Sequence, residues 1–181
     1  MRRRDNCGGA VACETLENRR LLSGNVTAVF DGTTLIIKGD NKSNQIIVGG
    51  SNTYFIDPSG GTTVNGQSGE VSIPIGKIVP VSVDMGNGDD YVELGSIYTK
   101  DVSIAMGNGD DSVYLDGVAA TGNLDVNTGN GDDSVAIGTL SAFASGSAHF
   151  NGGHGDDSLT GTSRLSAGGG LSFDNIESLS A

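Results

Sequence analysis

Apolar residues alternate with polar ones in short runs that recur along the chain. "VSVDM", "VSIAM", "LDVNT", "SAHFN" and "LSFDN" carry Val83, Ile104, Val126, Phe150 and Phe173 at steps of 21, 22, 24 and 23 residues. Within a run Val81 and Val83 share a face, as do Val102 and Ile104, which is the period of a strand with one buried face. A second column follows in "YVEL", "SVYL", "SVAI" and "SLTG": Val92, Val113, Val135 and Leu159, continued by Leu94, Leu115 and Ile137. A looser third column is Ile97, Val118, Leu140 and Leu165. Three apolar columns at one period predict a coil of two or three short strands per turn. Each coil buries its face against its neighbours. The predicted class is all-β, a parallel β-helix or β-roll-like solenoid of about 21–24 residues per coil.

Between the first and second columns lies one repeated turn. It reads "MGNGDD" from Met85, "MGNGDD" from Met106, "TGNGDD" from Thr128 and "GGHGDD" from Gly152. Asn-Gly is also a strong hairpin signal, so a sandwich of antiparallel hairpins competes with the solenoid. The sandwich leaves no reason for the same acidic turn in every unit. Residues 25–80 are less regular and are read as N-terminal coils with a capping role; "GDNKSNQIIV" has the shape of the later turn with its acids eroded. Gly39 precedes Met85 by 46 residues, two coils of 23, with an intermediate coil expected around "DPSGGTTVNG".

Composition agrees with this reading. Aromatics are 5% and Trp is absent, so ladders of Val, Ile and Leu must fill the interior; 30 glycines supply the turns. The net charge is −12, and from Val81 onward only Lys100 and Arg164 oppose fifteen acids. Such a surface repels nucleic acid and attracts cations. Both cysteines, Cys7 and Cys13, sit near the N-terminus; no disulfide framework staples the body, and two thiols alone do not close a zinc site. No apolar run is long enough to span a membrane.

The turn residues define the candidate site. Gly86 and Gly88 with Asp89 and Asp90 recur as Gly107, Gly109, Asp110 and Asp111, as Gly129, Gly131, Asp132 and Asp133, and as Gly153, Gly155, Asp156 and Asp157. Glycine lets carbonyls converge, and carbonyl plus carboxylate oxygens are what Ca²⁺ takes, six to eight at about 2.3–2.6 Å. One turn supplies too few; two turns stacked one coil apart supply enough. The plainer alternative is that Asn-Gly-Asp is good turn chemistry without a ligand. Eight carboxylates stacked along one edge without a cation would repel each other.

"GGHGDDSLT", from Gly152 to Thr160, resembles the nine-residue calcium repeat of RTX (hemolysin-type) proteins at every specified position. The other three turns depart from it at the first glycine, where Met85, Met106 and Thr128 stand. The spacing departs too: one turn per coil, where RTX repeats run in tandem. The resemblance implies Ca²⁺ as the bound ion, with Asp90, Asp111, Asp133 and Asp157 as the motif's aspartates. Separately, "LENRRLLS" from Leu16 resembles the LEPR-x-L-L N-terminal motif of large planctomycete surface or exported proteins. It implies that residues 1–24 are a leader or sorting segment and that the body is extracellular or on the cell surface; a cell-surface polysaccharide or matrix protein is the partner expected of an adhesive module there.

No catalytic constellation is present. There is no G-x-S-x-G, Walker loop or zinc-protease motif, and His149 and His154 are expected to face outward. A β-helix polysaccharide lyase or hydrolase is the enzyme alternative, but a lyase base would have to be Lys100 or Arg164, about three coils apart. A non-enzymatic, calcium-binding structural or adhesive module is the expectation, with a metal-independent solenoid as its alternative.

Overall fold

A computed structural model describes residues 24–181; the expected leader lies almost wholly outside the described residues. The strands are β1 (Asn25–Phe30), β2 (Leu35–Lys38), β3 (Gln45–Gly50), β4 (Thr53–Pro58), β5 (Thr63–Val64) and β6 (Val71–Pro74). The stack continues with β7 (Val81–Asn87), β8 (Tyr91–Thr99), β9 (Val102–Asn108), β10 (Ser112–Ala120), β11 (Leu124–Asn130) and β12 (Ser134–Ile137). It closes with β13 (Ala142–Ala144), β14 (Ser147–His154), β15 (Ser158–Thr160), β16 (Leu165–Ala167), β17 (Gly170–Asp174) and β18 (Ser178–Leu179).

These strands form a parallel β-solenoid. One sheet runs β17-β14-β11-β9-β7-β2-β1-β5 and the other β18-β15-β12-β10-β8-β3-β4-β6. The acidic turn joins the two sheets in four successive coils, at β7 to β8, β9 to β10, β11 to β12 and β14 to β15. From β2 and β3 onward neighbours within each sheet are parallel, and Val83, Ile104, Val126, Phe150 and Phe173 stack in register. The hairpin sandwich is thereby excluded for this region. The first and second columns are buried throughout, apart from half-buried Phe173, and form one continuous apolar core.

Two expectations need correction. The third column is Ile97, Val118, Ala142 and Leu165, because β13 pairs with β10 two residues beyond Leu140. Leu140 is 62% exposed, on the corner between β12 and β13. Nor is there an intermediate coil before Met85. Lys38 pairs with Asp84, so Gly39 lies beside Met85 one coil away, and the extra residues form the antiparallel strands β4 and β6 with the short β5. These strands and β1 close the N-terminal end of the stack. Buried Tyr54 anchors the closure, its hydroxyl 3.3 Å from both the backbone N and the carbonyl of Val79.

Among the coils that carry the acidic turn, length varies only away from that turn; in the last coil, where Asp174 pairs with Asn151 and Ser178 with Ser158, the turn itself is shorter. Two residues separate β8 from β9, while three separate β10 from β11. The corner after Leu115 takes two residues before Val118, where the one after Ile137 takes four before Ala142. Ser96 (φ 49), Gly117 (φ 75) and Ser141 (φ 65) make this corner in the left-handed region. The reversal lets residues three apart, Leu94 and Ile97, both face inward.

Candidate metal centre

The turn stacks on itself residue by residue. Gly86, Gly107, Gly129 and Gly153 lie in register with φ between 95 and 111. A Cβ on any of the last three would strike the carbonyl oxygen of the glycine before it, so this column has no room for a side chain. Asn87, Asn108 and Asn130 form an amide ladder, each Nδ2 donating to the Oδ1 of the asparagine one coil earlier at 2.7 Å, starting from Asn41. Asn108→Ala removes two of these bonds at an exposed site. Urea unfolding should register a loss of about 1–2 kcal/mol.

The two aspartates of each turn part company. Asp89, Asp110, Asp132 and Asp156 are exposed, and each of the first three accepts the backbone N–H of its successor at 2.9–3.1 Å. Asp90, Asp111, Asp133 and Asp157 are buried, between 1% and 3% exposed. Their Oδ1 atoms accept backbone N–H groups from the opposite direction: Asn44 to Asp90, Asp90 to Asp111, Asp111 to Asp133 and Asp133 to Asp157, at 2.7–2.9 Å. Thus the sixteen turn residues do come together along one edge, but each Asp pair divides into an outer and an inner row. The division was readable: Asp90, Val92 and Leu94 alternate at period two, so the second Asp belongs to the buried face.

The inner row has two ends that the repeat did not reveal. Asn44 occupies the first place, buried and aligned with Asp90, within the eroded turn. Glu177 occupies the last, its Oε2 accepting the Asp157 N–H at 2.8 Å. The signal for Asn44 lay in the shape of "GDNKSN", where Ser43 Oγ also accepts from Asp89 N–H at 3.1 Å. Glu177 follows a turn with no glycine, so no repeat pattern marked it.

Burial dominates the electrostatics of the inner row. Asp90 and Asp111 are pushed up to about 7, first by loss of solvent and further by neighbouring carboxylates, against the opposing effect of the N–H bonds. Asp133 and Asp157 are raised for the same first reason. The Oδ2 atoms of all four are buried with no hydrogen-bond partner. Four such atoms in one row are a cost that a cation or a proton would relieve. Among the described residues, no three carboxylate, imidazole or thiol side chains converge to hold an ion by themselves, so a cation here would also need backbone oxygens.

His149 and His154 contribute nothing to this row. His154 is exposed, and His149 Nε2 lies 2.8 Å from Asp174 Oδ2 on the outside of the sheet. Compared with family models, curated proteins and solved structures, the chain matches none.

Proposed function

We propose that the protein is a calcium-stabilised β-solenoid module, structural or adhesive and not catalytic, that works outside the cell or on its surface. The observation that carries the metal is the row of buried, unpartnered Oδ2 atoms on Asp90, Asp111, Asp133 and Asp157. Their oxygen chemistry fits a hard divalent ion, and the ion would supply positive charge to carboxylates that burial has stripped of water. The exposed outer aspartates and the net charge of −12 would concentrate cations at this edge. The surface assignment rests on the N-terminal resemblance, and a polysaccharide or matrix protein is the partner that an adhesive module there would take. No helix among the described residues is long and apolar enough to cross a membrane.

Thermal unfolding of the full chain in EDTA and in millimolar Ca²⁺ tests the metal. At a hundredfold excess over Kd the ion adds about 2.7 kcal/mol, which raises Tm by roughly 5–10 °C for a chain of this size. A metal-independent solenoid is favoured by one observation: every inner Oδ1 already holds a backbone N–H, and the raised Asp90 and Asp111 allow protons to neutralise the row. Identical melting in EDTA and Ca²⁺ would select that reading.

A further inference from the structure

Five Asn-Gly dipeptides occur in the chain: Asn65-Gly66, Asn87-Gly88, Asn108-Gly109, Asn130-Gly131 and Asn151-Gly152. Each is open to one reaction. Glycine carries no side chain to shield its backbone nitrogen, which can attack the side-chain carbonyl carbon of the asparagine before it. The N–Cγ bond forms, the Cγ–Nδ2 bond breaks, and ammonia leaves with the glycine's amide proton. Water then opens the succinimide to aspartate or isoaspartate. For the attack the asparagine side chain must leave its partners and turn toward the next nitrogen. Every hydrogen bond it gives up raises the barrier.

By that measure one dipeptide stands apart. Asn65 Oδ1 accepts the Ala28 N–H at 3.0 Å and its Nδ2 donates to the Ala28 carbonyl at 2.9 Å. Asn87 and Asn108 are interior rungs of the amide ladder, each donating through Nδ2 and accepting through Oδ1 at 2.7 Å. Asn151 donates to Asn127 at 3.4 Å and accepts from Asn175 at 2.8 Å. Asn130 donates to Asn108, but among the described residues nothing donates to its Oδ1. Register places His154 in the next coil, where a further asparagine would continue the ladder. Asn130 and His154 are both exposed. The attacking nitrogens do not discriminate: the N–H groups of Gly88, Gly109 and Gly131 each donate to a backbone carbonyl one coil on, at 2.8–2.9 Å.

We infer that Asn130 is a deamidation site of the folded protein, the first of the five to react, and that the reaction then climbs the ladder to Asn108 and Asn87. One hydrogen bond fewer gives Asn130 a rate roughly two- to tenfold above the interior rungs. Loss of its Nδ2 takes the donor from Asn108 Oδ1 and leaves Asn108 in the place that Asn130 held. The isoaspartate product does further damage. It lengthens the main chain next to Gly131, where even a Cβ would strike the Gly109 carbonyl oxygen. The open rung at Asn130 is thus where chemical ageing enters the acidic edge, whether or not that edge binds calcium.

Timed incubation of the full chain in EDTA at mildly alkaline pH tests the order, with peptic fragments read by mass spectrometry for aspartate and isoaspartate at each site. Incubation continues until the first site reacts. In the folded chain Asn130 should appear first, roughly two- to tenfold ahead of Asn87, Asn108, Asn65 and Asn151, with Asn108 next along the ladder. In concentrated urea this preference should vanish. His154→Asn supplies the missing rung: it should slow Asn130 roughly two- to tenfold and move the first site to position 154. Asn130→Ser makes Asn108 the end of the ladder and should speed its reaction by the same factor. Another site reacting first, or equal rates at all five in the folded chain, would overturn the inference. An unchanged Asn130 rate in folded His154→Asn, or an unchanged Asn108 rate in folded Asn130→Ser, would show that the ladder does not set the order.

Discussion

Gly129→Ala is expected to unfold the solenoid or lower its Tm by roughly 10 °C or more, a loss of about 4 kcal/mol at this chain length. Two effects add. Gly129 has φ 111, a conformation that an L side chain adopts at a cost of about 1–2 kcal/mol. The larger effect is the collision of the new Cβ with the backbone carbonyl of Gly107, which has no rotamer to escape into. The two coils must separate, and the Asn108–Asn130 amide bond and the Asp132 N–H bond to Asp110 sit on the same junction. Gly32→Ala is the control. Gly32 has φ 100 but nothing within 4 Å of its Cβ, so only the backbone strain of about 1–2 kcal/mol should appear. Equal Tm losses for the two variants would show that close coil approach is not what fixes these glycines.

The calcium-free protein should be more stable at pH 5 than at pH 8. Asp90 and Asp111 have folded-state values of about 7, against about 3.9 in an unfolded chain. Between those values the folded protein binds more protons, so stability falls as pH rises. The contribution is whole below about pH 4 and is lost as pH passes 7. Asp133 and Asp157 are raised too and act in the same sense. Because burial is the first cause, 1 M salt should leave most of the effect, whereas repulsion between exposed carboxylates would be screened within about 3 Å. Denaturant midpoints across pH 5–8 provide the measurement. A flat profile, or one unchanged in Asp90→Asn/Asp111→Asn, would show that the inner row is not desolvated as described.

Much of this architecture was legible because strand alternation and coil period are both local signals. Val83, Ile104, Val126 and Phe150 are predicted and observed on one buried column. The third column was misassigned at Leu140 because coil length changes at a corner, and the corner residues Gly117 and Ser141 carry no apolar pattern to count along. The N-terminal closure was hidden for another reason. A spacing of 46 residues equals two coils numerically, and only the antiparallel pairing of β4 with β3 and β6 reveals a hairpin excursion. In the turn, glycines and aspartates were found together, but their division into inner and outer rows depends on the same alternation carried two residues upstream of Val92.

Across the four acidic turns the edge keeps constant register, and the changes in length between those coils fall at the two remote corners. Growth of this molecule is therefore quantised. A duplicated segment running from one inner aspartate to the next would meet glycine, asparagine and aspartate partners identical to those already present, lengthening the rod by about 4.8 Å without a new kind of contact. Insertions shorter than a coil have an outlet at the Ile137–Ala142 corner, which already takes two more residues than its neighbour. One side of the rod thus works as a spine with fixed spacing, and the far corners as places where the sequence is free to diversify.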